Sequence, residues 1–258
     1  MGTEFFERQA WIEACAFAPH TPSDILSRII EKVRETTAQS EKAYVLVDID
    51  STLYEVAPRT AQILLEASRE LDLELNVREK LAGVTSPGYS LEDTWRLLGW
   101  SLQDSELNRV REQLHAFWHA RFFSNGYLDY DLPYVGMKQF AWELQEAGAE
   151  IVYLTGRDEP GMREGTLRCL KRDGFPIEGT QLRMKSSRQG DDVIHKVGVA
   201  LSLAQTGTVV ASLENEPRNF AALAQALPEA IHVFVDTVCS KTPAPAVQGG
   251  YRLHGFHS

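Results

Sequence analysis

The sequence predicts an α/β fold: a doubly wound, mostly parallel sheet with a helical unit inserted into it. Three observations carry that expectation. The runs Tyr44-Val45-Leu46-Val47, Ile151-Val152-Tyr153-Leu154 and Val209-Val210-Ala211-Ser212-Leu213 have the aliphatic, β-branched and aromatic make-up of buried strands. Each ends in a cluster of polar residues, which is where open α/β sheets place their ligands. The first two runs are separated by roughly 100 residues, where a crossover needs only about a dozen.

The elements follow in chain order. Residues 1–43 form an N-terminal helical extension, with Thr21-Pro22-Ser23-Asp24 as a helix start and Ile25, Ile29, Ile30 and Val33 as its apolar stripe. Core cover is the expected role of this extension. Residues 44–54 open the core. Residues 55–130 make the insertion, read as helices over Thr60–Leu73, Leu91–Leu98 (stopped at Gly99) and Ser105–Phe123. The core resumes over 131–258. Helices are expected at Val135–Gly148, Gly161–Asp173 and 192–201, and another after Pro217. Ile231–Val235 reads as the last strand, and the tail from Lys241 as irregular or edge structure.

The chemistry sits at the strand tips. Asp48 and Asp50 lie two positions apart where the first strand ends, and such a pair can converge on one reacting group. One carboxylate can serve as nucleophile and the other as general acid or base. Two close anions also invite a cation. Thr155 offers a hydroxyl at the second tip, Gly156 permits close backbone approach to an anion, and Arg157 meets substrate or fixes the loop. At the third tip Glu214 and Asn215 supply oxygen ligands of the kind Mg²⁺ prefers, although acids before a helix also serve as caps. Lys196, on the helix before that strand, and Lys185, ending Leu182-Arg183-Met184, compete as the site's cation.

The order Asp-x-Asp-x-Thr, Thr-Gly-Arg, Lys and an acidic strand end resembles the haloacid dehalogenase (HAD) superfamily, from Tyr44 to about Asp236. The resemblance implies a Rossmann-like core with a helical cap that holds the substrate-specific contacts. It implies a Mg²⁺-dependent phosphatase acting on a small phosphorylated metabolite. Asp48 would become an aspartyl phosphate, Asp50 would be the acid/base, and Thr155 and Lys196 would hold the phosphoryl oxygens, with Gly156 and Arg157 beside them. Asp48, the Asp50 carbonyl, Glu214 and Asn215 would hold the metal. Where many members carry two adjacent acids, this chain has Glu214-Asn215-Glu216, so Asn215 and Glu216 both stand as the second support. Asp50 is present, whereas members that do not hydrolyse phosphate esters often lack it. A phosphotransferase or mutase of the same superfamily, or a non-catalytic binding or regulatory protein on this fold, is the alternative.

Composition narrows the partners. The chain of 258 residues is 43% apolar, with a net charge of −10, which argues against non-specific binding to nucleic acid or anionic lipid. Three widely spaced cysteines, Cys15, Cys169 and Cys239, make neither a disulfide framework nor a zinc signature and fit a reducing, cytoplasmic setting. No run is long enough for a membrane helix, and the first 20 residues carry too many charges for a signal peptide. His115 and His119 share a helix face, but the intervening Ala116-Phe117-Trp118 lacks the metalloprotease glutamate. Trp95 and Trp100 read as core of the insertion, and Tyr54 as packing or a leaving-group contact.

Overall fold

Six strands build the main sheet: β1 (Ala43–Val47), β2 (Ala149–Asp158), β3 (Gln181–Lys185), β4 (Thr208–Glu214), β5 (Ile231–Val235) and β6 (Tyr251–Leu253). The computed structural model describes residues 4–5, 7–100 and 107–254. Ten helices accompany the strands among these residues: α1 (Arg8–Cys15), α2 (Pro22–Ala38), α3 (Ala57–Glu70), α4 (Leu75–Ala82), α5 (Leu91–Leu97), α6 (Asn108–Phe122), α7 (Met137–Glu146), α8 (Glu159–Arg172), α9 (Asp192–Leu203) and α10 (Pro217–Ala226). Ser105, the expected start of the helix now seen as α6, lies outside the described residues.

The sheet order is β6-β5-β4-β1-β2-β3 and every pairing is parallel. The expected α/β class is therefore the observed one. Tyr44, Leu46, Val152, Leu154 and Val209 bury one face against Ala200 and Leu203 of α9 and Leu223 of α10. Because side chains alternate along a strand, Val45, Val47, Ile151 and Tyr153 point to the other face. There α2 lies against β1 and β4, and α7 against β2. Residues buried on both faces are why these strands read as unbroken apolar runs.

The N-terminal extension joins this core. Thr21 and Asp24 form a capping box at the start of α2, which buries Ile25, Ile29 and Val33. Trp11 of α1 packs edge-on against Phe220 and Phe234. Several elements depart from expectation, among them α4, which no expected helix covered. β6 adds a strand beyond Ile231–Val235, pairing Tyr251 with Val233 and Leu253 with Val235. The second strand continues past Leu154 to Asp158, with a break in register between those residues.

The chain divides into two compact units. The α/β unit comprises 1–54, 133–159 and 170–258; the helical unit comprises 55–132 together with 160–169 from α8. Within the helical unit, Leu64, Ala67, Leu81, Trp95 and Leu114 form the core, and Trp95 lies 4.5 Å from Trp100. Arg59 is fully buried there, donating to both carboxylate oxygens of Asp131 at 2.7 and 2.5 Å and facing the Phe122 ring at 4.4 Å. α3 begins at Ala57, before the expected Thr60, because Pro58 suits a first helical turn.

Candidate active site

Strand register gathers the candidate residues at one edge of the α/β unit. Val47 pairs with Tyr153 on one side and Leu213 on the other. Asp48, Thr155 and Glu214 therefore follow within two residues of a common level. The Asp48 N–H donates to the Leu213 carbonyl at 3.1 Å, so the nucleophile candidate is still anchored to the ladder. Beyond it the chain turns sharply. The Ile49 carbonyl accepts from the backbone of Thr52, Leu53 and Tyr54, and Ser51 takes a left-handed φ of 60°. Only a held loop keeps a non-glycine residue there.

Lys196 stands at the centre. Its ammonium donates to Asp48 Oδ1 and to Glu214 Oε2, both at 2.6 Å. All three side chains are almost fully buried. Lys196 reaches this position from the second turn of α9, whose start is capped by the Asp191 carboxylate accepting from the Ile194 N–H. Lys185 does something else. It donates to the Arg188 and Gly190 carbonyls and to Asp192 Oδ1 at 2.6 Å, so it fixes the loop into α9.

Burial raises the pKa of Asp48 to about 7, against the pull of Lys196; the charges of Glu214 and Asp50 push the same way as burial. Burial also raises Glu214, against Lys196. Lys196 is itself raised: burial works against its charge, but its two carboxylate partners outweigh that. Two carboxylates against one ammonium leave an excess buried negative charge, which is costly without a further cation.

The neighbouring candidates fall into place around this trio. Asp50 is held by Arg157, whose Nε and Nη2 donate to its two oxygens at 3.0 and 2.7 Å. Of the two options for Arg157, the structure shows a contact to the loop acid. Thr155 is fully buried, and its hydroxyl accepts from the Arg157 N–H at 3.2 Å. A Cβ at Gly156 would lie 2.5 Å from an Asp192 carboxylate oxygen, so a larger residue there would have to displace that side chain. Tyr54 is buried with its ring 5.6 Å from Phe175.

Asn215 and Glu216 point elsewhere. The Asn215 amide accepts from the Thr52 hydroxyl at 3.2 Å and donates to the Val238 carbonyl at 2.7 Å. The Glu216 carboxylate accepts from the N–H and hydroxyl of Ser240. These contacts with 237–240 span more than twenty residues, and no local pattern announces them. Among the described residues no three His, Cys, Asp or Glu side chains form a cluster that could hold a metal. The donors at the centre are nonetheless all oxygen, and the excess negative charge suits a hard divalent cation such as Mg²⁺, which keeps several waters and takes one or two carboxylates. His115 and His119 stack with ring centres 6.1 Å apart in the helical unit.

No family model and no curated protein matches the sequence. Solved structures do resemble it in backbone. One is described as a predicted phosphatase from Clostridium acetobutylicum (11% identity, 81% of this chain and 94% of that one, TM-score 0.48). Another is a HAD-superfamily hydrolase, subfamily IA, from Geobacter sulfurreducens (14%, 84% and 93%, 0.46). A third is a HAD family hydrolase from Deinococcus radiodurans with bound phosphate and sodium (16%, 76% and 80%, 0.43). At such identities and scores these are likenesses of outline. Among the described residues no helix is long and apolar enough to cross a membrane.

Proposed function

We propose that this chain is a Mg²⁺-dependent phosphatase of the HAD type, hydrolysing a small phosphorylated metabolite through an aspartyl phosphate. The observation that carries the reading is the Lys196 ammonium held 2.6 Å from both Asp48 and Glu214. A buried carboxylate at a strand tip, with a fixed cation beside it, is placed to attack phosphorus while the neighbouring ammonium steadies the oxygens.

The residues divide the work. An Asp48 oxygen attacks phosphorus as the bond to the leaving oxygen breaks, and Asp50 gives that oxygen a proton. Water then attacks the phosphorus of the aspartyl phosphate, surrendering its proton to Asp50, and Asp48 is regenerated with release of phosphate. Arg157, which takes both Asp50 oxygens here, would keep one of them for positioning and release the other to carry the proton into the first transfer and out of the second. The Thr155 hydroxyl and the backbone N–H at Gly156 would donate to the phosphoryl oxygens together with Lys196. Asp48, Glu214 and the Asp50 carbonyl would hold Mg²⁺, which when bound neutralises charge on the phosphoryl group. The helical unit would act as the cap that selects the rest of the substrate. Three free cysteines support a reducing, cytoplasmic setting.

A screen of phosphorylated metabolites for phosphate release, with Mg²⁺ and with chelator, tests this. Release that needs Mg²⁺ and disappears in Asp48→Asn supports the reading. Transfer to an added sugar in place of water would make the chain a phosphotransferase. No turnover of any kind, from a folded protein with Mg²⁺, would reject catalysis.

A further inference from the structure

We infer that Asn215 is a positioning residue and not a metal ligand: it is the central tie of a brace, formed by Asp236–Ser240, that holds the Asp48–Tyr54 loop in shape. The metal half of this statement rests on the phosphatase reading; the brace does not.

The ties are specific. The segment leaves β5 and meets the catalytic loop twice. Thr237 Oγ1 donates to the Ser51 carbonyl at 2.5 Å, and Asn215 joins Thr52 Oγ1 to the Val238 carbonyl at 3.2 and 2.7 Å. A third tie runs from the Ser240 N–H and hydroxyl to Glu216. The far side is fixed by α1, where Arg8 Nη2 donates to the Thr237 carbonyl at 2.9 Å and its guanidinium pairs with Asp236. Asn215, Thr52 and Ser51 are buried.

Two physical facts turn these contacts into a role. Ser51 has a left-handed φ of 60°, which an L-residue adopts at a cost and keeps only when its surroundings fix it. The Thr237 and Asn215 bonds fall on that residue and the next. Meanwhile the Asn215 amide uses both ends. Its oxygen accepts from Thr52, which turns it toward the loop, and its nitrogen donates to a carbonyl, which a carboxylate at this position could not do. Glu216, the other possible second acid, has its carboxylate on Ser240. Of 214–216, Glu214 is the residue whose carboxylate bonds to Lys196. The N-terminal extension gains a purpose too, since Arg8 anchors the brace.

Asn215→Asp separates the two roles. As a ligand, it would restore an adjacent acid, tighten Mg²⁺ and keep turnover. As a brace, it keeps the oxygen but loses the donor to Val238. Asn215→Asp and Asn215→Ala should then both lose kcat by on the order of 10- to 100-fold, the loss expected when catalytic groups are misplaced by about an ångström. KM should stay nearly unchanged. The Mg²⁺ concentration that half-saturates the melting shift of the free protein should stay within about two-fold of the parent in both, as it should for any residue outside the ligand set. Amide hydrogen exchange at 51–54 and 237–240 should quicken in both. A tighter Mg²⁺ response with intact kcat in Asn215→Asp, or unchanged exchange at both segments, would overturn the inference. If the parent shows neither turnover nor a Mg²⁺ shift, the phosphatase reading fails, and the exchange measurement still decides the brace. If Asn215→Ala does not fold, Thr237→Val reports the same exchange and kcat effects, and Thr237→Ser should restore them.

Discussion

Both units of this protein bury charge, and they bury it differently. In the helical unit one guanidinium meets one carboxylate, and Arg59 spends its fork on Asp131 while lying over Phe122. Charge is balanced and geometry is matched, as in a pair that serves structure. In the α/β unit one ammonium is shared by two carboxylates, and burial drives Asp48 up to about 7. That arrangement is unbalanced, and proteins keep such imbalance where chemistry needs it. The difference says which buried ions to alter to lose activity and which to lose the fold.

The largest expected effect is on the unbalanced side. Asp48→Asn should lower turnover by more than about 10³-fold, because an amide cannot be the nucleophile. It should also hold or raise the melting temperature, since it removes the excess buried charge. Steady-state rates and a thermal melt check both, and a variant that keeps near-normal turnover would end the aspartyl-phosphate mechanism.

Arg59→Ala should show the reverse. It takes the guanidinium away from a fully buried carboxylate, Asp131, at a cost of about 3–5 kcal/mol in stability. The fraction that stays folded should keep much of its activity. Denaturant unfolding alongside activity per folded molecule measures the split. Equal losses of stability in Arg59→Ala and Asp48→Asn would erase the contrast.

The two lysines sharpen it further. Lys196→Ala should reduce turnover and phosphate inhibition by on the order of 2–4 kcal/mol, the size of a lost charge-assisted contact to a developing anion. Lys185→Ala should cost clearly less, since its ammonium holds the loop ahead of α9. Rates of the two variants at saturating Mg²⁺ decide the ranking, and a larger loss at Lys185 would move the phosphate contact to it.

How far these features were legible in the sequence depends on how local they are. Strand runs and the polar residues at their ends are local patterns, so the parallel sheet and the placing of Asp48, Thr155 and Glu214 at one edge could be read directly. Lys196 could be named only through the resemblance carried by the order of the motifs, because a lone lysine on a helix reads by itself as a surface charge, and its rivalry with Lys185 needed coordinates. The Arg157–Asp50 pair joins positions 107 apart, and the Asn215–Val238 contact positions 23 apart. Such pairings follow from sheet topology and leave no periodic trace. α1 and β6 lie in segments read only in outline, the helical extension and the irregular or edge tail, for a related reason: each is short, and each is held by tertiary contacts, Trp11 on Phe234 and Tyr251 beside Val233.

The smallest effect is a slope. Without Mg²⁺, folded Asp48 titrates near 7 and unfolded Asp48 near 3.8. Between those values the folded chain binds more protons than the unfolded chain, so the stability this group contributes is full below about pH 4 and is lost as pH rises through 7. His232 runs the other way. Burial lowers its pKa below 6.5, and its ring nitrogens lie 2.7 Å from the Ser212 hydroxyl and 2.8 Å from the Leu227 carbonyl. Its contribution is present above 6.5 and is lost as pH falls through its folded value. The raw curve mixes the two, but His232 is common to the parent and Asp48→Asn. The stability gap between these proteins, measured in chelator, should therefore widen with rising pH by roughly 1 kcal/mol per unit up to about 7, then level off. Mg²⁺ should narrow the gap in proportion to its affinity for the intact site. A gap that stays flat from pH 5 to 7 would mean that Asp48 is already charged at pH 5, so that burial does not raise its pKa and the excess charge carries no penalty that distinguishes the two units.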